Sequence, residues 1–184
     1  MISVRSTGII LAISLAAAAT IASAQVQQER GVSALKGHNS NAPVDVTADR
    51  IEVQDRADRA LFVGNVHATQ AELTLQTQRL TVAYASKSGA GGVQIHRLDA
   101  AGGVVVRSPS ETARGDFGIY DLDRKLITII GDVQLTQGRN VVSGQRLVIN
   151  LDSGRAVIDG GPPGVNSSGG RVTGHFTVPQ RGGS

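Results

Sequence analysis

At 184 residues the chain has room for one ordinary domain once any leader is removed, and 18 Lys and Arg against 15 Asp and Glu leave a formal charge of only +3. No run of cations suggests a nucleic-acid face. The chain has no cysteine, which excludes thiolate metal sites, cysteine nucleophiles and disulfide bracing. Aromatics are few (Phe62, Phe117, Phe176, Tyr84 and Tyr120), too few for the stacking platforms of sugar clefts and single-strand grooves.

The N-terminus reads as a secretory signal. Arg5 is the only charge in the first 28 residues, residues 9–22 are apolar apart from Ser14 and Thr20, and Ala22-Ser23-Ala24 is a small-residue cleavage site. The apolar run is shorter than the about 20 residues a membrane span needs, so cleavage after Ala24 and export are expected. Removing residues 1–24 takes away Arg5 and lowers the formal charge from +3 to +2.

Residues 25–42 are polar and aperiodic and read as a flexible leader. From residue 43 the pattern turns to alternation, with Val44, Val46 and Ala48 on one face and Asp45, Thr47 and Asp49 on the other. That is a half-buried strand, continued through Ile51 and Val53 after a shift at Arg50. Asp55 to Asp58 is a polar turn. Leu61 and Val63 lead to Gly64-Asn65, read as a turn, and Leu73, Leu75, Leu80 and Val82 alternate beyond it. Residues 86–92 are a loop of small residues. Gly102-Gly103 reads as another turn before Val104 and Val106, and Phe117 and Ile119 follow. Gly131-Asp132 is a third turn, residues 141–151 form a longer strand, and Asp152-Ser153-Gly154 turns into a strand at Ala156 to Ile158. Residues 160–170 are a Gly/Pro/Ser loop, residues 171–178 a final strand, and residues 179–184 a tail. No window of a dozen residues carries helical periodicity, so the chain is all-β.

Two stretches repeat 67 residues apart. Residues 62–70 with 78–82 match residues 129–137 with 145–149, with seven identities that include Gly64/Gly131, Gln78/Gln145 and Arg79/Arg146. The uneven spacing of the glycine pairs argues against a strict solenoid. Stacked units of this kind make a long sheet surface and point away from a compact catalytic pocket. Candidate inward residues are Val44, Val46, Ile51, Val53, Leu61, Val63, Leu73, Leu75, Val104, Val106, Phe117, Ile119, Leu147 and Ile149. Their apolar character suits the inner face of a sandwich. Arg79 and Arg146 read as a solvated face or as phosphate contacts. His38, His67, His96 and His175 have no metal-ligand spacing, and no nucleophile motif is present, so neither cofactor nor catalysis is expected.

The segments Pro43 to Asp49, Gly64-Asn65-Val66, Gly131-Asp132-Val133, Ala113 to Asp121, and Arg171 to Phe176 with Pro179, in that order, resemble the LptA-type lipopolysaccharide transport proteins of the OstA-like family. The resemblance spans residues 43–179. It implies a twisted OstA-like β-jellyroll of about 12–16 antiparallel strands over residues 43–159, shaped like a slightly open V. It implies no enzyme activity, with lipopolysaccharide acyl chains held between the sheets. It also implies head-to-tail self-association through the terminal strands, and partners LptC at the inner membrane and the LptD N-terminal domain at the outer membrane. The stretch 160–170 departs from the pattern and leaves the final strand's position open. The competing readings are an adhesin-like structural β-domain without a lipid ligand, and the related LptC, which keeps its N-terminal anchor.

Overall fold

The computed structural model describes residue 35 and residues 38–86, 92–161 and 170–178. The signal segment, most of the leader, and the tail from residue 179 lie outside the described residues. Ten strands form: β1 (Asp45–Thr47), β2 (Arg50–Gln54), β3 (Arg59–Gln70), β4 (Leu73–Ser86), β5 (Val93–Arg107), β6 (Glu111–Asp121), β7 (Leu126–Gln137), β8 (Asn140–Asn150), β9 (Arg155–Asp159) and β10 (Thr173–His175). All pair antiparallel in one sheet of order β1-β3-β4-β5-β6-β7-β8-β10, with β2 beside β3 and β9 beside β8. The expected all-β antiparallel architecture is present, but among the described residues the strands number ten rather than a dozen or more.

The reason is local. The pairs Gly64-Asn65, Gly102-Gly103 and Gly131-Asp132 do not end strands. Each sits inside one long strand as a bulge, with both residues at positive φ (82° and 46°, 89° and 70°, 83° and 39°). Between Val63 and Val66 β3 spends one residue more than β4 does between Arg79 and Thr77, and β5 and β7 each gain one residue in the same way. An extra residue bends a strand and sharpens its twist. Strand β10 covers three residues of the expected 171–178 and pairs with Val141–Ser143 of β8.

The bulges lie in a row across the sheet, and each faces a polar side chain, from the preceding strand for Gly102 and Gly131 and from the link between β1 and β2 for Gly64. A Cβ on Gly64 or Gly131 would strike the carboxylate of Asp49 or Asp116, and one on Gly102 would come within 3.0 Å of Gln78 Cβ. Asp49 also accepts a hydrogen bond from Asn65 Nδ2 at 2.9 Å. The 67-residue echo is therefore the period of this crease: Asp49, Gly64 and Gln78 reappear as Asp116, Gly131 and Gln145. The two-residue hairpin turns between β3 and β4 and between β7 and β8 obey the same period.

The crease folds the sheet into two facing leaves. One leaf carries the inward ladder Val46–Ala68–Leu75–Val106–Ala113–Leu135–Val142–Gly174. The other carries Ile51–Phe62–Leu80–Ala100–Gly118–Ile129–Leu147–Ile158 and, beside it, Val53–Ala60–Val82–Leu98–Tyr120–Ile127–Ile149–Ala156. Residues from both leaves join one buried cluster, in which Leu80, Ile129 and Leu147 are fully buried. Gly118 makes the close approach possible, since a Cβ there would lie 3.0 Å from Val104 Cγ1 of the facing leaf.

Candidate functional site

The space between the leaves is a trough whose axis runs across the strands. Eight strand positions from β1 to β10 leave seven spacings of about 4.8 Å, a length of roughly 34 Å. At its centre is a cavity of about 50 Å³ lined by Val44, Ala68, Leu73, Leu75, Val104 and Val106 from one leaf and Leu98, Ala100, Tyr120, Ile127 and Ile129 from the other. Room of that size takes a few water-sized groups, not a lipid. The leaves must part to admit anything long.

Next to it, on the open side, lies a wider cleft of about 570 Å³. Its walls are residues 40–44, Gln70, Val93 to Ile95, Leu122, Asp123 and Lys125. Val44 and Gln70 border both spaces. An apolar floor thus continues into a polar mouth, the arrangement an amphiphile requires.

Gln70 closes the mouth. Its Nε2 donates to the carbonyls of Ser40 at 3.0 Å and Ala42 at 2.9 Å. Its Oε1 receives Tyr120 Oη from the facing leaf at 3.1 Å and His38 Nε2 at 3.0 Å. With Nε2 donating there, His38 Nδ1 faces the Glu72 carboxylate at 3.4 Å without a hydrogen bond. Burial pushes the Tyr120 phenol above its ordinary value. Burial likewise raises the Glu111 carboxyl, which accepts Gln137 Nε2 at 3.1 Å and leaves its second oxygen unpartnered.

The expected inward residues divide cleanly. Leu73, Val104, Val106, Leu147 and Ile149 are buried between the leaves, and Val44, Val46 and Leu75 pack against that core half-buried. Ile51 and Val53 stand in the inward ladders, yet are 55% and 57% exposed because β2 is an edge strand with a neighbour on one side alone. Leu61, Val63 and Phe117 point outward, which corrects the reading above; Phe117 is 55% exposed. Ile119 stands in the same outward row between inward Gly118 and Tyr120, although it borders the cavity.

These corrections have two local causes. Opposite each bulge, β4, β6 and β8 place two residues in succession on the outer face (Gln78-Arg79, Asp116-Phe117 and Gln145-Arg146), so simple alternation changes phase there. In Leu61-Phe62-Val63 both faces are apolar, and period-2 patterning cannot choose between them. Phe62 is the inward member. Gln70 is not legible from the sequence, because a lone glutamine in an alternating strand carries no signal of its own. Of the paired arginines, Arg146 binds Asp159 at 2.9 Å on the exposed face. Among the described residues no group of three or more His, Asp or Glu is placed to hold a metal.

Comparison with known proteins agrees with this geometry. Residues 45–155 match the family model "LptA/(LptD N-terminal domain) LPS transport protein". An uncharacterised protein of Rhizobium meliloti (strain 1021), R00383, is 31% identical over 153 residues, covering 81% of this chain and 80% of that protein. The fold is similar to the crystal structure of LptH, the LptA-homologous periplasmic component of the lipopolysaccharide transport device of Pseudomonas aeruginosa. That match has a TM-score of 0.65 at 18% identity, over 76% of this chain and 98% of LptH. By the reach of the family match and by a fold built around an aliphatic trough, the chain belongs to the LptA/LptD N-terminal domain family of lipopolysaccharide transport proteins.

Proposed function

We propose that this chain is a periplasmic, non-enzymatic bridge protein that binds lipopolysaccharide and carries it between the inner and outer membranes. The observation that carries the reading is the trough: three aliphatic ladders that cross the whole sheet and end in open strands on both sides. Each methylene left in water costs about 0.8 kcal/mol, so a lipid with several acyl chains needs a continuous apolar path. The mouth supplies polar contacts for the head group. Entry requires the leaves to separate, and the Gln70–Tyr120 hydrogen bond is the direct tie between them at the mouth. The candidate acyl contacts are Val44, Val46, Leu73, Leu75, Val104, Val106, Leu147 and Ile149, with Ile51 and Val53 at the open end.

The ends suit head-to-tail growth. Strands β2 and β9 run antiparallel to each other, as do β1 and β10. Placing β9 and β10 of one copy against β2 and β1 of the next therefore extends one antiparallel sheet. Under that stacking Ile158 leads on to Ile51, Ala156 to Val53 and Gly174 to Val46, and the three ladders continue unbroken. The same edges suit an LptC-type partner at one end and the LptD N-terminal domain at the other. Sedimentation of the mature protein with purified lipopolysaccharide tests the reading. Saturable binding together with assembly that grows with protein concentration is expected. A folded protein that stays monomeric and binds no lipopolysaccharide would leave the structural β-domain as the better account.

A further inference from the structure

One residue of the leader lies inside the trough. Leu35 is 9% exposed and joins the buried cluster. It sits on the open side near the turn between β5 and β6, among Val106, Ala113 and Leu135 of one leaf and Ile149 of the other. The space left there is about 10 Å³, room for one water at most, so Leu35 fills nearly all of the site. The contact comes from outside the sheet, since Leu35 belongs to none of the ten described strands.

The polar contacts of this docking are only partly made. Beside Leu35, Glu111 accepts Gln137 Nε2 through one oxygen, but its Oε2 stays buried without a partner. Three residues on, His38 meets Gln70 through Nε2 and leaves Nδ1 unpaired. Buried polar atoms without partners are costly and rare, and each calls for an explanation. Among the described residues of the leader, Leu35 is the buried apolar side chain, and a contact of this kind over half-satisfied polar groups is poised to be exchanged for something that fits better.

We infer that Leu35 occupies an acyl-chain subsite between the two leaves and vacates it when a saturated acyl chain enters. The inference rests on the lipid-carrier reading. It makes the leader an internal competitor for the cargo. It also joins lipid entry to the edge that accepts a partner strand, because residues 39–44 run from the docked segment directly into β1, and Gln70 ties that stretch down through Ser40 and Ala42. Lifting Leu35 and His38 therefore loosens the strap that leads into the first edge strand.

The chain contains no tryptophan, so in the mature protein Leu35→Trp creates a single indole reporter. Its emission should be blue-shifted and protected from iodide in the free protein, and should shift to the red and become quenchable as purified lipopolysaccharide saturates it. Leu35→Asp, which cannot dock, should bind lipopolysaccharide about tenfold more tightly than the unmodified protein, the factor equivalent to about 1.4 kcal/mol. Lipopolysaccharide that binds both forms equally, with the indole unmoved, overturns the subsite and leaves the carrier reading in place. Absence of lipopolysaccharide binding in every form overturns the carrier reading, and the subsite with it.

Discussion

The crease makes the sharpest stability prediction. Gly131 has φ of +83°, and a Cβ there would run into the Asp116 carboxylate. In Gly131→Ala the left-handed backbone alone costs about 1–2 kcal/mol, and displacing Asp116 adds to it, for a total of about 2–3 kcal/mol. For a chain of this size that lowers Tm by roughly 5–10 °C. Gly103→Ala is the matched control: its φ is also positive, at +70°, but nothing lies within 4 Å of the added Cβ, so the backbone cost of about 1 kcal/mol stands alone. Gly64→Ala should cost at least as much as Gly131→Ala, because moving Asp49 also breaks its 2.9 Å bond to Asn65. Urea unfolding followed by far-UV circular dichroism gives the three values. Adding Asp116→Gly to Gly131→Ala should recover about 1 kcal/mol by removing the group struck. Equal losses at Gly103 and Gly131, or no recovery in the double variant, would refute a crease set by glycine against carboxylate.

Four further outcomes follow from the same geometry. Leu147→Ala, at a fully buried position, should cost about 2–5 kcal/mol in chemical unfolding. Ile51→Asp with Val53→Asp changes side chains that are more than half exposed, so stability should move by no more than about 0.5 kcal/mol, while sedimentation should show assembly lost. Tyr120→Phe removes the hydrogen bond to Gln70 across the mouth, which should lower stability by about 1 kcal/mol and speed lipopolysaccharide uptake in stopped-flow fluorescence. Burial holds the Glu111 carboxyl above its ordinary 4.5. Its folded-state value exceeds the unfolded one, so stability it contributes is present below about 4.5 and is lost as pH rises through the folded value. Glu111→Gln should therefore be more stable than the parent by about 1 kcal/mol at neutral pH, with the gap closing as pH falls toward 4 in pH-dependent unfolding.

Much of this architecture was legible in the sequence. Alternation gave the strands and the turns at Asp55 to Asp58 and at Asp152 to Gly154, and the ordered segments pointed to the family. The repeat was visible as well, but its meaning was not. A Gly-Asn or Gly-Asp pair between alternating runs is the pattern of a tight hairpin. Here the strands continue through each pair, because the neighbouring segment supplies Asp49, Gln78 or Asp116 to sit over the glycine. That pairing is non-local and leaves no mark within a short window. The same phase change misplaced Phe117, while Leu61 and Val63 were lost to a stretch apolar on both faces. Gln70 was beyond reach for another reason. Its role depends on Tyr120, fifty residues away on the facing leaf, and on the leader carbonyls, and nothing in the local pattern separates it from any other polar strand residue.

The central claim is that acyl chains lie between the leaves. Photo-crosslinking tests it most directly, with a photoreactive side chain placed in turn at inward Ala100 and Val106 and at outward Thr81 and Phe117, in the mature protein mixed with lipopolysaccharide. The account predicts lipid adducts at Ala100 and Val106 and none at Thr81 or Phe117. Equal labelling on both faces, or none at any position in a protein that circular dichroism shows to be folded, would contradict it.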